Sequence, residues 1–546
     1  STEYTHAALF CSVCDSLVQN FVFRKSCTFS GVSASSLTVT VSSGNFAIKN
    51  VTNEATIIGK DTSGTFVGSF NEANNKNLVL EKCTAQGPVT GHEGSIGGMI
   101  GEVSSTFNSS ITFKDIKLYG SVNGRGLNDH CHLGGFIGLI TSNTGLSVIV
   151  DDTESNMSIQ EASVNSFVGG VVGTIAKNDE MKVTVINSKI QNSLSVSAGL
   201  NTIGGFIGFV NENNNFTLHI ENNTGGVSMI MDNTQGNGNA GGYVGLFSDN
   251  KGTVIAVNKN QQSVDLELSN KNGQLMAGLY FGALLKEEGF KGVLESDTSK
   301  GKVNNTGTDN VYVGGLIGNI NQINSLFIDM NNCTSDESVI SINTNGDSFI
   351  GSLVGRIGDS FDVAMVTKDC NIVGRHTATS SRTSYVSGFI GLVVNNNNIS
   401  VTANQVVCDT ILKLTNRGSD SYVGGFIGEI SNSHLGVFSL NNVLTNYLFN
   451  SINTGSDNYI GGYIGEVFNN VDMTLNFSNS VTNGNISGTN KNDNNHAGGF
   501  VGSFFGNQNM VVFFDDCQSN SSIVTQSSNG DNYAGGFIGA IQRNHD

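Results

Sequence analysis

The 546-residue chain has no tryptophan, a single proline (Pro88), and charge on only 13% of its residues. No apolar run approaches the roughly 20 residues that a membrane-spanning helix needs. Lysine and arginine number 27 against 45 acidic residues, a formal net charge of −18. That balance argues against nucleic-acid binding, which rests on cations neutralising phosphates. It fits an acidic solubilising surface, with a cation-binding surface as the alternative. No His-Glu-x-x-His pair is present, and the only dense polar cluster is Asp129-His130-Cys131-His132, which fits a polar loop or, if the two histidines share a strand face, a metal site. The chain opens at Ser1 without a visible signal peptide, as a processed chain would. Low charge with modest hydrophobicity can signal disorder. Here the apolar residues keep one phase along the whole chain, which a disordered chain does not do.

What is abundant is glycine (69 residues) and asparagine (72), and the glycines recur with a period. Tyr-Val-Gly-Gly-Phe-Ile-Gly-Glu-Ile at 422–430 has relatives such as IGGMIGEV at 96–103, LGGFIGLI at 133–140, VGGLIGNI at 313–320 and AGGFIGAI at 534–541. Taking the first glycine position of each copy as position 0 places it at 64, 97, 134, 169, 204, 241, 278, 314, 351, 387, 424, 461, 498 and 535. The steps run from 33 to 37 residues, with 37 the commonest. Such a period marks stacked structural repeats sharing one core.

Inside each unit apolar residues alternate with period two, the mark of strands. Strand A is the glycine motif, strand B carries positions 12, 14 and 16 (Met473, Leu475, Phe477), and a short strand C centres near position 25 (Phe449, Ile486). A polar corner separates B from C, and a loop such as NTGSDN at 453–458 leads to the next motif. The expected fold is all-β: a β-solenoid, or parallel β-helix, of about 15 coils with ~37 residues and three strands per coil, with a propeller as the rival. Residues 1–26 read as an N-terminal cap with Cys11 and Cys14, which with Cys27 make a candidate disulfide cap. Residues 27–63 read as a degenerate first repeat with position 0 at Cys27, and 64–546 as tandem repeats with the last coil incomplete.

The core Gly315, Leu316, Ile317, Gly318 within VGGLIGNI resembles the GLUG repeat, although these units are longer and often place Phe or Tyr at the leucine position. The resemblance implies a β-solenoid stalk or scaffold of the kind found in surface and secreted proteins, adhesins among them.

The third glycine, at position 4, is present in every copy, which points to a bulge or to a backbone that another element approaches closely. Positions 2 and 3 (Phe426 and Ile427, for example) are both apolar. On one strand they would face opposite sides, so either loops cover one side or another molecule does. Cys333 and Cys370 fall at the same position of adjacent coils, as stacked small fillers or a disulfide. Asx residues at position 18, including Asp152, Asn187, Asn222 and Asn442, are expected to form a ladder that pins the corner. Candidate N-glycosylation sites are Asn50, Asn108, Asn156, Asn215, Asn222, Asn304, Asn332, Asn398, Asn476, Asn485 and Asn520, no more than chance supplies.

These features lead to a non-enzymatic, extracellular or cell-surface structural protein without cofactor or catalytic residues. As a rod-like subunit it would assemble into a filament, sheath or adhesive appendage, head to tail and through possible lateral contacts. The candidate assembly edge is Gly535, Gly536, Phe537, Ile538, Gly539 and Ile541. The alternatives are a carbohydrate-binding or polysaccharide-cleaving solenoid that meets surface glycans, and an adhesin stalk whose binding head lies elsewhere.

Overall fold

The computed structural model describes residues 6–41, 44–125, 130–162, 165–197 and 199–545. It is a parallel β-solenoid with about 37 residues per turn and three sheets, and the described residues contain no helix. The chain divides into two compact units, Ser1–Asp265 and Leu266–Asp546. Each holds three parallel sheets, and the first sheet has eight strands in each unit among the described residues.

One coil of the second unit shows how the sequence folds. Ile427–Ser431 lies in the first sheet, His434–Asn441 in the second, and Leu444–Asn453 and Asn458–Gly461 in the third. Pairing is in register, Ile427 to Ile464 to Val501 to Ile538, so every side chain joins a row of its counterparts. The first unit repeats this, with Ile137 paired to Val172, Val172 to Ile207 and Ile207 to Val244. Period-two alternation turns Tyr447, Phe449, Ser451 and Asn453 of the long strand inward. In the second sheet, Phe438 and Leu440 of the same coil are likewise buried.

The glycine motif is not one strand. A strand of the third sheet ends at position 0 and a strand of the first sheet begins at position 3, with the chain bending at positions 1 and 2. The bend sends both Phe426 and Ile427 into the interior, where both are buried. The apolar residues at positions 2 and 3 therefore share the core of the coil. The argument for a covering loop or a laterally bound molecule at those positions falls with the single strand on which it stood.

Glycine is needed here because backbone touches backbone. A Cβ on Gly318 would lie 2.5 Å from the Gly282 carbonyl oxygen and 2.6 Å from the Ala277 nitrogen, and one on Gly245 would lie 2.6 Å from the Gly208 oxygen. Close approach, not a bulge, accounts for the third glycine.

The first repeats depart from the expected phase. Val67 pairs with Thr38, so position 0 falls at Ser35 and not at Cys27, and the unit spans 64 − 35 = 29 residues. Val39 and Val41 accordingly lie in the first sheet (Thr38–Val41), and Phe29 and Gly31 in the third. Residues expected to form a cap instead contribute His6–Ala7, Phe10–Val13, Ser16–Gln19 and Val22–Phe23, each paired in parallel with the next coil. These early coils are shorter than the later ones, which is why a fixed period of 37 misplaced them.

Gly428→Ala sets a methyl against the Gly391 carbonyl and is expected to lower stability to urea by about 1–3 kcal/mol. Gly292→Ala, whose Cβ finds its nearest neighbours at 3.5 and 3.7 Å, is expected to be neutral or to stabilise by up to about 1 kcal/mol. Equal effects of the two changes would refute the close-packing account.

Candidate functional site

The richest chemistry in the second unit lies where the strand before the bend faces the strand after it. Two residues before position 0, side chains form a continuous stack: Tyr312, Phe349, Tyr385, Tyr422, Tyr459, His496 and Tyr533. Ring centroids are 4.7–5.1 Å apart and the rings tilt by only 4–11°. The spacing is the rise between hydrogen-bonded coils, about 4.8 Å. Several phenol hydroxyls donate to a second row: Tyr422 to Asp420 at 3.4 Å, Tyr459 to Asp457 at 3.0 Å, Tyr533 to Asp531 at 3.3 Å. These aspartates also brace the corner, since Asp420 Oδ1 accepts the Asp457 N–H and Asp457 Oδ1 accepts the Asn494 N–H, both at 3.0 Å.

Position 5 of the following strand brings Glu429 and Glu466 toward this stack. They pair in register and both are buried. Burial pushes the Glu429 carboxyl up to about 7, against a hydrogen bond from Ser431. Burial, with the neighbouring Glu429 second, pushes Glu466 up to about 9. Burial also holds the Tyr385 and Tyr422 hydroxyls well above the ordinary phenol range and lowers His496. Burial thus favours the neutral form of both carboxyls in the seam.

A second cluster lies inside the coils. Ser352 Oγ is 2.8 Å from His376 Nε2, and the same nitrogen is 3.5 Å from Glu337 Oε1. A nucleophilic triad needs the serine on one ring nitrogen and the carboxylate on the other. Here one nitrogen faces both, and the histidine and glutamate side chains are wholly buried. Burial pushes His376 down to about 3 and Glu337 well above the usual carboxylate range, disfavouring the charged form of each. The cluster has the residue types of a triad without its geometry.

The residues singled out in the sequence are dispersed. Cys11, Cys14 and Cys27 are free thiols, so the expected disulfide cap is not formed. Cys11 and Cys14 lie three residues apart in and beside an extended strand, roughly 10 Å, beyond the reach of a disulfide. Cys333 and Cys370 stack as fillers, the Cys333 N–H lying 3.3 Å from Cys370 Sγ, and both thiols are free.

His132 lies 2.7 Å from Thr174 Oγ1, and both His130 and His132 stack on Phe167. Asp129 lies outside the described residues, among which no group of three metal-ligating side chains occurs. Nine of the candidate glycosylation asparagines are exposed, while Asn304 and Asn476 are half-buried. At the edge 535–541, Phe537 and Ile541 are 38% and 65% exposed, whereas Phe500 and Phe504 one coil earlier are buried.

At position 18 the Asx residues adopt left-handed backbone, φ 50° at Asp152 and 52° at Asn187, which Asn and Asp tolerate best. Side chains there do link, Asn222 Nδ2 to Asn187 Oδ1 at 2.8 Å, but the stronger ladder is at position 9. There Asn143, Asn178, Asn213 and Asn250 are buried and pass one amide hydrogen bond to the next at 2.9 Å. Neither this ladder nor the aromatic stack was singled out from sequence, although both are legible as single positions once the repeats are aligned.

No protein-family model matches the chain, and no similar protein or solved structure is found for it.

A carboxyl whose pKa is raised on folding stabilises the fold while protonated, and that contribution is lost as pH rises through the folded-state value. For Glu429 and Glu466 the window opens above the ordinary carboxylate range and extends to about 7 and about 9. Glu466→Gln is therefore expected to leave stability near pH 5 almost unchanged and to raise it near pH 8, by on the order of 3 kcal/mol. Urea unfolding at the two pH values measures this, and a substitution that destabilises at both shows the carboxylate to be satisfied as an anion.

Proposed function

We propose that the protein is a non-enzymatic structural scaffold, an extracellular or cell-surface β-solenoid that serves as a subunit of a filament, sheath or adhesive appendage. The observation that carries this reading is where the most regular side chains are used. The buried asparagine ladder, the glycine bends and the aromatic stack all join one coil to the next. Repeat proteins draw their stiffness from such nearest-neighbour interfaces. The catalytic residue types that meet, Ser352, His376 and Glu337, are in the wrong geometry and sealed from solvent.

Self-association through coil faces is part of the proposal. The edge at 535–541 exposes Phe537 and Ile541, which a further coil would cover. A continuation of the same chain or a second copy would supply that coil equally well, and exposed strand edges are templates for pairing. Negative-stain microscopy and light scattering of the chain are expected to show concentration-dependent end-to-end assemblies that Ile541→Lys disperses. Monodisperse monomers at every concentration would overturn the assembly reading.

A further inference from the structure

The third sheet of the first unit is creased. Three successive coils enter it with two-residue strands, Lys117–Leu118, Glu154–Ser155 and Lys189–Ile190. They resume only after a break, at Ser121–Gly124, Ser158–Glu161 and Ser193–Ser197. In the second unit the same stretch is one unbroken strand of ten residues, as in Leu444–Asn453. Beside the crease runs an open groove of about 490 Å³. Ile116, Thr153 and Ser188 turn inward at its floor, and the residues on either side of them turn outward.

The lining is polar and its charges are mixed. Asp115, Asp152 and Glu154 stand against Lys117 and Lys189, and the row Lys117, Glu154, Lys189 changes sign at each coil. A polyanion or a polycation would meet like charge at every second coil. A neutral, hydroxyl-rich chain meets no such penalty, because hydroxyls both accept from ammonium groups and donate to carboxylates. The corner amides of Asn187 and Asn222 add donors and acceptors along the groove.

One aromatic ring stands beside it. Tyr119 is 41% exposed, and its hydroxyl donates to Glu154 Oε2 at 2.9 Å, which holds the ring next to the charged row. A ring fixed by its polar tip presents an apolar face on which the C–H face of a sugar can rest. We infer that this groove binds a linear neutral oligosaccharide, with Tyr119 as the stacking platform and Glu154, Lys117 and Lys189 as the hydroxyl-binding groups. The inference goes beyond the scaffold reading and does not depend on self-assembly.

The test is calorimetric titration of the full chain with cellohexaose, chitohexaose and mannohexaose, beside an acidic hyaluronan hexasaccharide. At least one neutral hexasaccharide is expected to bind. Tyr119→Ala should weaken that binding by about tenfold or more, roughly 1.4 kcal/mol, while Tyr119→Phe keeps most of it. Unchanged urea unfolding of both variants would show that the fold is intact, as expected for an exposed side chain. No neutral binding at millimolar concentration, a preference for the acidic sugar, or an unaffected Tyr119→Ala variant would each overturn the proposal.

Discussion

Parallel coils stacked in register, about 4.8 Å apart, are the constraint on which everything else in this protein depends. Backbone hydrogen bonds join one coil to the next, and side chains stack on their counterparts along the same direction. Just past the bend, at the third glycine, even a methyl group has no room: a Cβ on Gly138 would lie 2.5 Å from the Ile96 nitrogen. The bend lets a strand of the third sheet be followed at once by one of the first. It also brings the residues two before the bend opposite those five after it, and so creates the seam.

The same stacking decides which chemistry can repeat. A side chain in one coil has its counterpart one rise above and below, so a row must tolerate its own company. Asparagine does, because its amide donates upward while its carbonyl accepts from below, as in Asn178 to Asn213 to Asn250. Flat rings do, by stacking. Fully buried carboxylates tolerate it least: two full charges one rise apart repel by roughly 3 kcal/mol even at an effective dielectric of about 20. At position 5 the acidic row is accordingly two residues long, Glu429 and Glu466, and Leu392 and Ser503 bracket it. Protonation makes that pair tolerable: burial first, and Glu429 beside it second, hold the Glu466 carboxyl up.

Much of this was legible in the sequence, and what was not has a common cause. Period-two alternation and the unit of about 37 residues identified the solenoid, and the invariant third glycine pointed to a bulge or to close approach, of which the second holds. Alternation alone does not reveal where a strand stops and another begins, so the bend at Gly425-Phe426 read as a continuous strand, and Phe426 and Ile427 as its opposite faces. The short coil from Ser35 to Gly64 was misphased because the period was extended into a region that lacks the glycines. The aromatic row escaped because Tyr422 lies outside the motif core, and its meaning comes only from Tyr385 and Tyr459 stacked on either side.

The two units put one architecture to different chemical use. In the second, the long third-sheet strands are unbroken, and the polar chemistry is drawn inward to Glu429, Glu466 and the tyrosine stack. In the first, the seam holds His132, Phe167 and Phe209 around Thr174, and the third sheet breaks at residues such as Asn156 and Asn192. Asn192 explains part of that break. Its side-chain carbonyl accepts the Ser155 hydroxyl at 2.8 Å and the Met157 N–H at 2.9 Å, and its amide donates to the Gly170 carbonyl at 3.0 Å. A backbone group that bonds to this side chain is withdrawn from the regular ladder, and the sheet creases at that point. A side chain that competes with the backbone for its hydrogen bonds thus interrupts the strand inside the coil.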